Sequence, residues 1–142
     1  MKECKPVKVP IPVGAKLSAD QCPKTHEEEE DMSRVPYASA VGSLMYAMVC
    51  TRPDIAHEVG VLSRYMSKPG KEHWTIVKRV FSYLHGTASY GLCYEGRPGL
   101  DRVVDIHGFV DADWARDLDR RRSTSGYVFN LFGGAINWMR KR

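Results

Sequence analysis

The sequence predicts an α+β fold, with three amphipathic helices first and a three-strand antiparallel meander second. Three observations predict it. Apolar residues recur at helical spacing between Val41 and Leu84. Beyond Val103, apolar runs of strand length are separated by turn residues. The first of those runs ends in Asp111 and Asp113, an i, i+2 pair that shares one face of an extended chain.

Composition bounds the reading before any element is placed. A chain of 142 residues holds one ordinary domain or two small ones. Its 43% hydrophobic and 27% charged residues are the proportions of a soluble globular protein. No apolar run approaches the roughly 20 residues of a membrane span, so no membrane partner is expected. The segment from Met1 to Pro6 lacks the apolar core of a signal peptide, which leaves secretion unsupported. An intracellular setting is expected, with cytoplasm and nucleus both open. Cys4, Cys22, Cys50 and Cys93 form no C-x-x-C pair, and reduced thiols are expected rather than a zinc site. The middle of the chain is the most basic part: residues 37–86 carry 6 Lys and Arg against 3 Asp and Glu. That suits contact with a phosphate backbone, although solvated basic faces are common.

Residues 1–36 read as an extended connector. Pro6, Pro10 and Pro12 alternate with apolar residues and remove backbone donors. The run Glu27 to Asp31 reads as a solvated, mobile stretch of like charge.

Residues 37–88 read as a helical unit. Val41, Leu44, Met45 and Met48 form one apolar stripe, and Ile55, Val59, Leu62 and Met66 form the next. Pro53 falls in the first turn of that second helix. A third helix from Glu72 to His85 turns Trp74, Val77, Phe81 and Leu84 inward, with Gly86 just past its end. His57, His73 and His85 have no partner at ligand spacing and read as surface or packing residues.

Residues 89–142 hold the strands. Tyr90–Tyr94 reads as a short strand closing the helical unit, and a Gly- and Pro-containing loop runs from Glu95 to Arg102. The run from Val103 to Val110 reads as a strand with both faces partly covered. Ser125–Leu131 and Ala135–Met139 form a hairpin about Gly133 and Gly134. Carboxylates ending a buried strand call for a cation, and Mg²⁺ is a common partner. There is no nucleotide-cradling glycine loop and no serine in a nucleophile elbow.

The order of short motifs resembles one family, the Pol polyprotein of copia-type long-terminal-repeat retrotransposons, at the junction of reverse transcriptase and ribonuclease H. The motifs are Cys4-Lys5-Pro6-Val7 with Pro10, Tyr37 to Tyr46, Thr51-Arg52-Pro53-Asp54-Ile55, His73-Trp74 with Lys78-Arg79, Tyr83-Leu84-His85-Gly86-Thr87, Asp111-Ala112-Asp113-Trp114-Ala115 and Arg122 to Val128. The resemblance implies a reverse transcriptase thumb or connection over residues 37–88. It implies the N-terminal part of a ribonuclease-H-like domain over 89–142. Asp111 would be the catalytic residue and a ligand of the Mg²⁺ pair. Asp113 would be a second metal ligand or a structural carboxylate. Lys78 and Arg79 would grip the phosphates of an RNA–DNA hybrid or other nucleic acid. The remaining partner would be the rest of the Pol polyprotein. On this match the polymerase palm precedes Met1, and the further nuclease carboxylates follow Arg142. Arg116 stands where the family usually has Gly. Whether this chain is itself an enzyme is left open: it is expected to be catalytically incomplete alone and not to hold Mg²⁺ tightly. Alternatives are a non-catalytic nucleic-acid-binding module and a remnant without activity. With open edges, residues 103–142 are expected to be marginally stable.

Overall fold

Among the described residues, four α-helices and a three-stranded antiparallel sheet make the fold α+β, as expected. A computed structural model describes residues 5–12, 14–95, 106–113, 119 and 123–141. Cys4, Val103 to Asp105, most of the loop from Glu95 to Arg102, Trp114 to Arg116, Arg120 to Arg122 and Arg142 lie outside the described residues.

The acidic run differs from expectation. It forms helix α1, His26–Ser33, because the chain supplies a start signal ahead of it. The Thr25 hydroxyl accepts from the Glu28 N–H at 3.3 Å, and the Glu28 carboxylate accepts from the Lys24 and Thr25 N–H groups at 2.8 and 3.3 Å. Negative charge in the first turn also complements the helix dipole. Lys68 meets Glu29 at 2.7 Å and Lys71 meets Asp31 at 2.8 Å, so two acids of the run are paired from another part of the chain.

The core lies among the next three helices. Helix α2, Tyr37–Cys50, buries Tyr37, Val41 and Leu44. A 3-10 turn, Pro53–Ile55, leads into α3, Ala56–Leu62, and a second such turn, Ser63–Tyr65, follows. Ile55, Val59 and Leu62 are fully buried, as their spacing predicts. Met66, the fourth member of that stripe, is exposed. The tighter 3-10 winding after Leu62 changes the angle per residue and turns it outward. Helix α4, Lys71–Gly86, buries Val77 as expected, together with His73, Ile76 and Val80. Trp74, Phe81 and Leu84 pack against the core only partly buried. Gly86 is the last helical residue, and Thr87 takes the cap position.

His73 is a packing histidine. It is fully buried, its ring stacks on Tyr65 with centroids 3.9 Å apart, and its Nδ1 accepts from the Gly70 N–H at 2.9 Å. Burial pushes its pKa below the ordinary imidazole value.

The sheet runs β1 (Ile106–Asp113), β2 (Thr124–Leu131), β3 (Gly134–Lys141), in that order and antiparallel. The hairpin turn is Phe132 and Gly133, one residue earlier than expected. Both have positive φ, 50° and 82°, which is the type I′ geometry that matches strand twist. Gly134 opens β3 instead. A Cβ there would lie 2.5 Å from the Cys93 carbonyl oxygen, so the position excludes a side chain. The pairing shifts between Phe129 and Asn130, and Ile136 is the unpaired residue of this bulge.

Two further expectations are corrected. Residues 90–95 form no strand and do not close the helical unit. They run to the hairpin turn, where the Glu95 N–H donates to the Phe132 carbonyl at 2.8 Å and the Tyr94 hydroxyl to the Ala135 carbonyl at 2.8 Å. Strand β1 is not covered on either face. Ile106, Phe109 and Val110 are all exposed, Val110 by 81%. The reason is topological: β1 is the sheet edge away from the helices, while β3 packs on α3 and the Trp138 Nε1–H donates to the Met48 carbonyl at 3.0 Å.

Candidate functional site

Asp111 projects from the edge strand and is exposed. It pairs with Gly126 of β2, which pairs in turn with Arg140 of β3. Residues in register share a face, so Asp111 and Arg140 flank a glycine that contributes no side chain. Their backbones are about 10 Å apart, two strand spacings. Asp113 occupies the strand position two residues on, opposite Thr124.

A divalent metal fits this donor set poorly. Among the described residues, no three His, Cys, Asp or Glu side chains come together. Mg²⁺ takes about six oxygen ligands, and one or two carboxylates on one strand leave most of them to other groups. The described residues therefore suit a contribution to a metal centre, not a complete one.

The residues expected to grip nucleic acid stand on α4. Lys78 is exposed, whereas Arg79 is half-buried with its Nε atom enclosed and without a partner among the described residues. Neither they nor Asp111 line the two clefts at the junction of helices and sheet. The basic character at the start of α4 is reduced, because Lys68 and Lys71 are paired with α1.

Two of the motifs meet in one partly buried polar network. The Arg52 guanidinium donates from Nε to Asp54 Oδ1 at 2.9 Å and from Nη2 to Oδ2 at 2.7 Å. It also donates to the Thr87 carbonyl at 3.2 Å and the Thr87 hydroxyl at 2.6 Å. Tyr83 donates its hydroxyl to Asp54 at 2.9 Å and lies beneath the guanidinium, 5.5 Å from ring centre. The start of the second helical segment is thereby tied to the end of α4. Burial works against the Asp54 carboxylate, but the bonds from Arg52 and Tyr83 outweigh it and hold its pKa below the ordinary value. The same bond with Asp54 raises that of Arg52. This arrangement is structural: it positions helices.

Sequence reasoning missed the clefts where helices and sheet meet. The larger, about 550 Å³, is apolar and lined by Met45, Met48, Val59, Ile136 and Trp138 among others. The smaller, about 250 Å³, gathers Lys16, His57, Arg64, Thr124 and Arg140. No periodicity joins these residues, so only the fold reveals them.

No family model and no solved structure matches the chain. Among curated proteins, the retrovirus-related Pol polyprotein from transposon TNT 1-94 of Nicotiana tabacum is 53% identical over 141 residues, 99% of the chain. The corresponding polyprotein from transposon RE2 of Arabidopsis thaliana is 36% identical over all 142 residues. The chain spans only 10% and 9% of the length of these two relatives. Secreted RxLR effector protein 161 of Plasmopara viticola is 52% identical over 111 residues, 78% of the chain and 75% of that protein.

Proposed function

We propose a function from one premise: the chain belongs to the retrovirus-related Pol polyproteins of copia-type transposons. Within such a polyprotein it forms the junction between the helical thumb or connection of reverse transcriptase and the first strands of ribonuclease H. The observation that carries this reading is the order of units, a helical core followed by a meander whose first strand delivers Asp111. The helical unit holds primer–template through phosphate contacts, with Lys78 the exposed cation and Arg79 beside it.

Asp111 supplies one ligand toward the Mg²⁺ of the longer polypeptide, with Asp113 as a second candidate on the same strand. Mg²⁺ there would support hydrolysis of the RNA strand of a hybrid. On this reading the chain alone grips nucleic acid without cutting it. The experiment is hybrid binding by fluorescence anisotropy at low and physiological salt, with cleavage scored in the same tubes. Affinity is expected to fall as salt rises and to weaken in Lys78→Glu, with no Mg²⁺-dependent product. Absence of binding at low salt overturns the grip, and cleavage abolished by Asp111→Asn overturns the inert part.

A second reading is a stand-alone binding module without a polyprotein around it. The match to the Plasmopara protein favours it, because the chain spans three quarters of that protein at 52% identity. Unchanged hybrid affinity when flanking Pol segments are added would favour this module. A large gain would favour the junction.

A further inference from the structure

We propose that the outer edge of β1 pairs with the same edge of a second copy of this chain, the two strands running antiparallel about Phe109. Among the described residues, β1 has one strand neighbour, β2, and lies on the side of the sheet away from the helices. Its outer side presents a row of backbone donors and acceptors over 8 residues, Ile106–Asp113. Edges of that kind are usually blunted by proline, lysine, a bulge or a very short strand. β1 uses none of these devices: it contains no proline or lysine, and its register with β2 is unbroken. Ile106, Phe109 and Val110 add exposed apolar side chains to the strand.

The strand's own sequence selects the occupant. Two antiparallel copies related by a two-fold axis normal to the sheet keep every side chain on its face, so the numbers of facing residues sum to an even value. Centring the pair on Phe109 sets Ile106 against Ala112, His107 against Asp111, Gly108 against Val110 and Phe109 against itself. Apolar residues then meet apolar residues or glycine on both faces, no acid faces an acid, and Asp113 stays outside the paired stretch. The neighbouring even registers are worse. Centring on Val110 presses the Asp111 carboxylate against Phe109, and centring on Asp111 sets that carboxylate against itself. Centring on Gly108 shortens the pairing and sets His107 against Phe109.

A feature of β2 supports the same register. A Cβ on Gly108 would lie 2.7 Å from Cε1 of Phe129, so the Phe129 ring lies over the glycine. That ring is itself exposed, and Val110 of the second copy, facing Gly108, comes to its edge. One strand a side is far less than the roughly 20–30 residues a side of a standard interface, so the dimer is weak and the dilute chain keeps β1 open. No residue of α4 takes part, so the pairing stands apart from the nucleic-acid grip proposed above.

The test is sedimentation equilibrium of the full chain from about 10 μM to about 1 mM, the range of weak complexes, with amide exchange followed at both ends. A reversible monomer–dimer equilibrium is expected, with the amides of residues 106–112 slowing as concentration rises and those of α2 and α4 unchanged. A mixture of isotope-labelled and unlabelled chain should show a contact between the Phe109 rings of two copies. Val110→Lys lies at an exposed site, so the fold is kept, which unchanged exchange in α2 and α4 would confirm. It brings two ammonium groups to diagonal positions roughly 7–8 Å apart and is expected to weaken the dimer about tenfold. A monomer throughout the range overturns the proposal. So does a dimer whose slowed amides lie on α2 and β3 around the apolar cleft, one without the Phe109 contact, or one equally tight in Val110→Lys.

Discussion

The helical unit and the sheet are built from similarly apolar sequence, yet they use it differently. In the helices, Val41, Leu44, Ile55, Val59, Leu62, Val77 and Val80 are buried almost completely. In the three strands, Gly134 is the one buried residue among those whose burial is described. Three amphipathic stripes can enclose each other, so the helices supply their own second layer. A three-stranded sheet that meets the helices through its β3 side has no layer for its faces. The comparison teaches that hydrophobic pattern specifies which face wants burial, while only a partner provides it.

The sharpest way to break the contrast is a matched pair of truncations. Leu62→Ala removes a fully buried side chain and is expected to lower stability by about 3–5 kcal/mol in denaturant unfolding. Val110→Ala, at an 81% exposed site, is expected to cost less than about 1 kcal/mol. Similar losses at both sites would mean that β1 is covered in solution. Hydrogen exchange gives the same contrast without mutation: slow amides across Val59, Val77 and Val80, faster ones along β1.

Next comes the polar tie within the helical unit. Arg52→Ala leaves Asp54 and the Thr87 carbonyl without their partner and is expected to cost about 3 kcal/mol, the low end for a broken buried pair because Asp54 is partly exposed. The Asp54 carboxyl is held below its ordinary pKa, so its stabilisation is present above the usual carboxylate range and is lost as pH falls through the lowered value. The wild-type excess over Arg52→Ala should therefore shrink on acidification; a constant difference would show that the charge contributes little.

The smallest effect belongs to the sheet. Phe132 holds φ 50°, a conformation that a bulky side chain adopts at a penalty and asparagine adopts readily. Phe132→Asn should stabilise the hairpin by about 1 kcal/mol, read as slower exchange at Glu95 and the β2–β3 amides. A destabilised hairpin would mean that the half-exposed ring packs to more effect than its exposure indicates.

Much of the helical unit was legible from spacing alone, because helical periodicity is a local property: Val41, Leu44, Ile55, Val59, Leu62 and Val77 all lie inward as read. The misreadings are also physical. Like charge between Glu27 and Asp31 suggested mobility, but Thr25 and Glu28 form a capping box, a signal present in the sequence. The turn moved from Gly133–Gly134 to Phe132–Gly133 because the close approach of Cys93 claims Gly134 for the strand. For the candidate site, alternation put Asp111 and Asp113 on one face, but not what surrounds them.

By itself, then, the sequence determined the α+β class, the helical stripes, the antiparallel meander and the family. These follow from periodicities within a few residues and from motifs read in order. Only the tertiary structure decided that Arg52 closes on Thr87, that α1 neutralises Lys68 and Lys71, that β1 stands exposed, and that Lys16, Arg64 and Arg140 share a cleft. Those outcomes depend on contacts between distant segments, and a one-dimensional pattern carries no measure of how far apart two segments lie once the chain has folded.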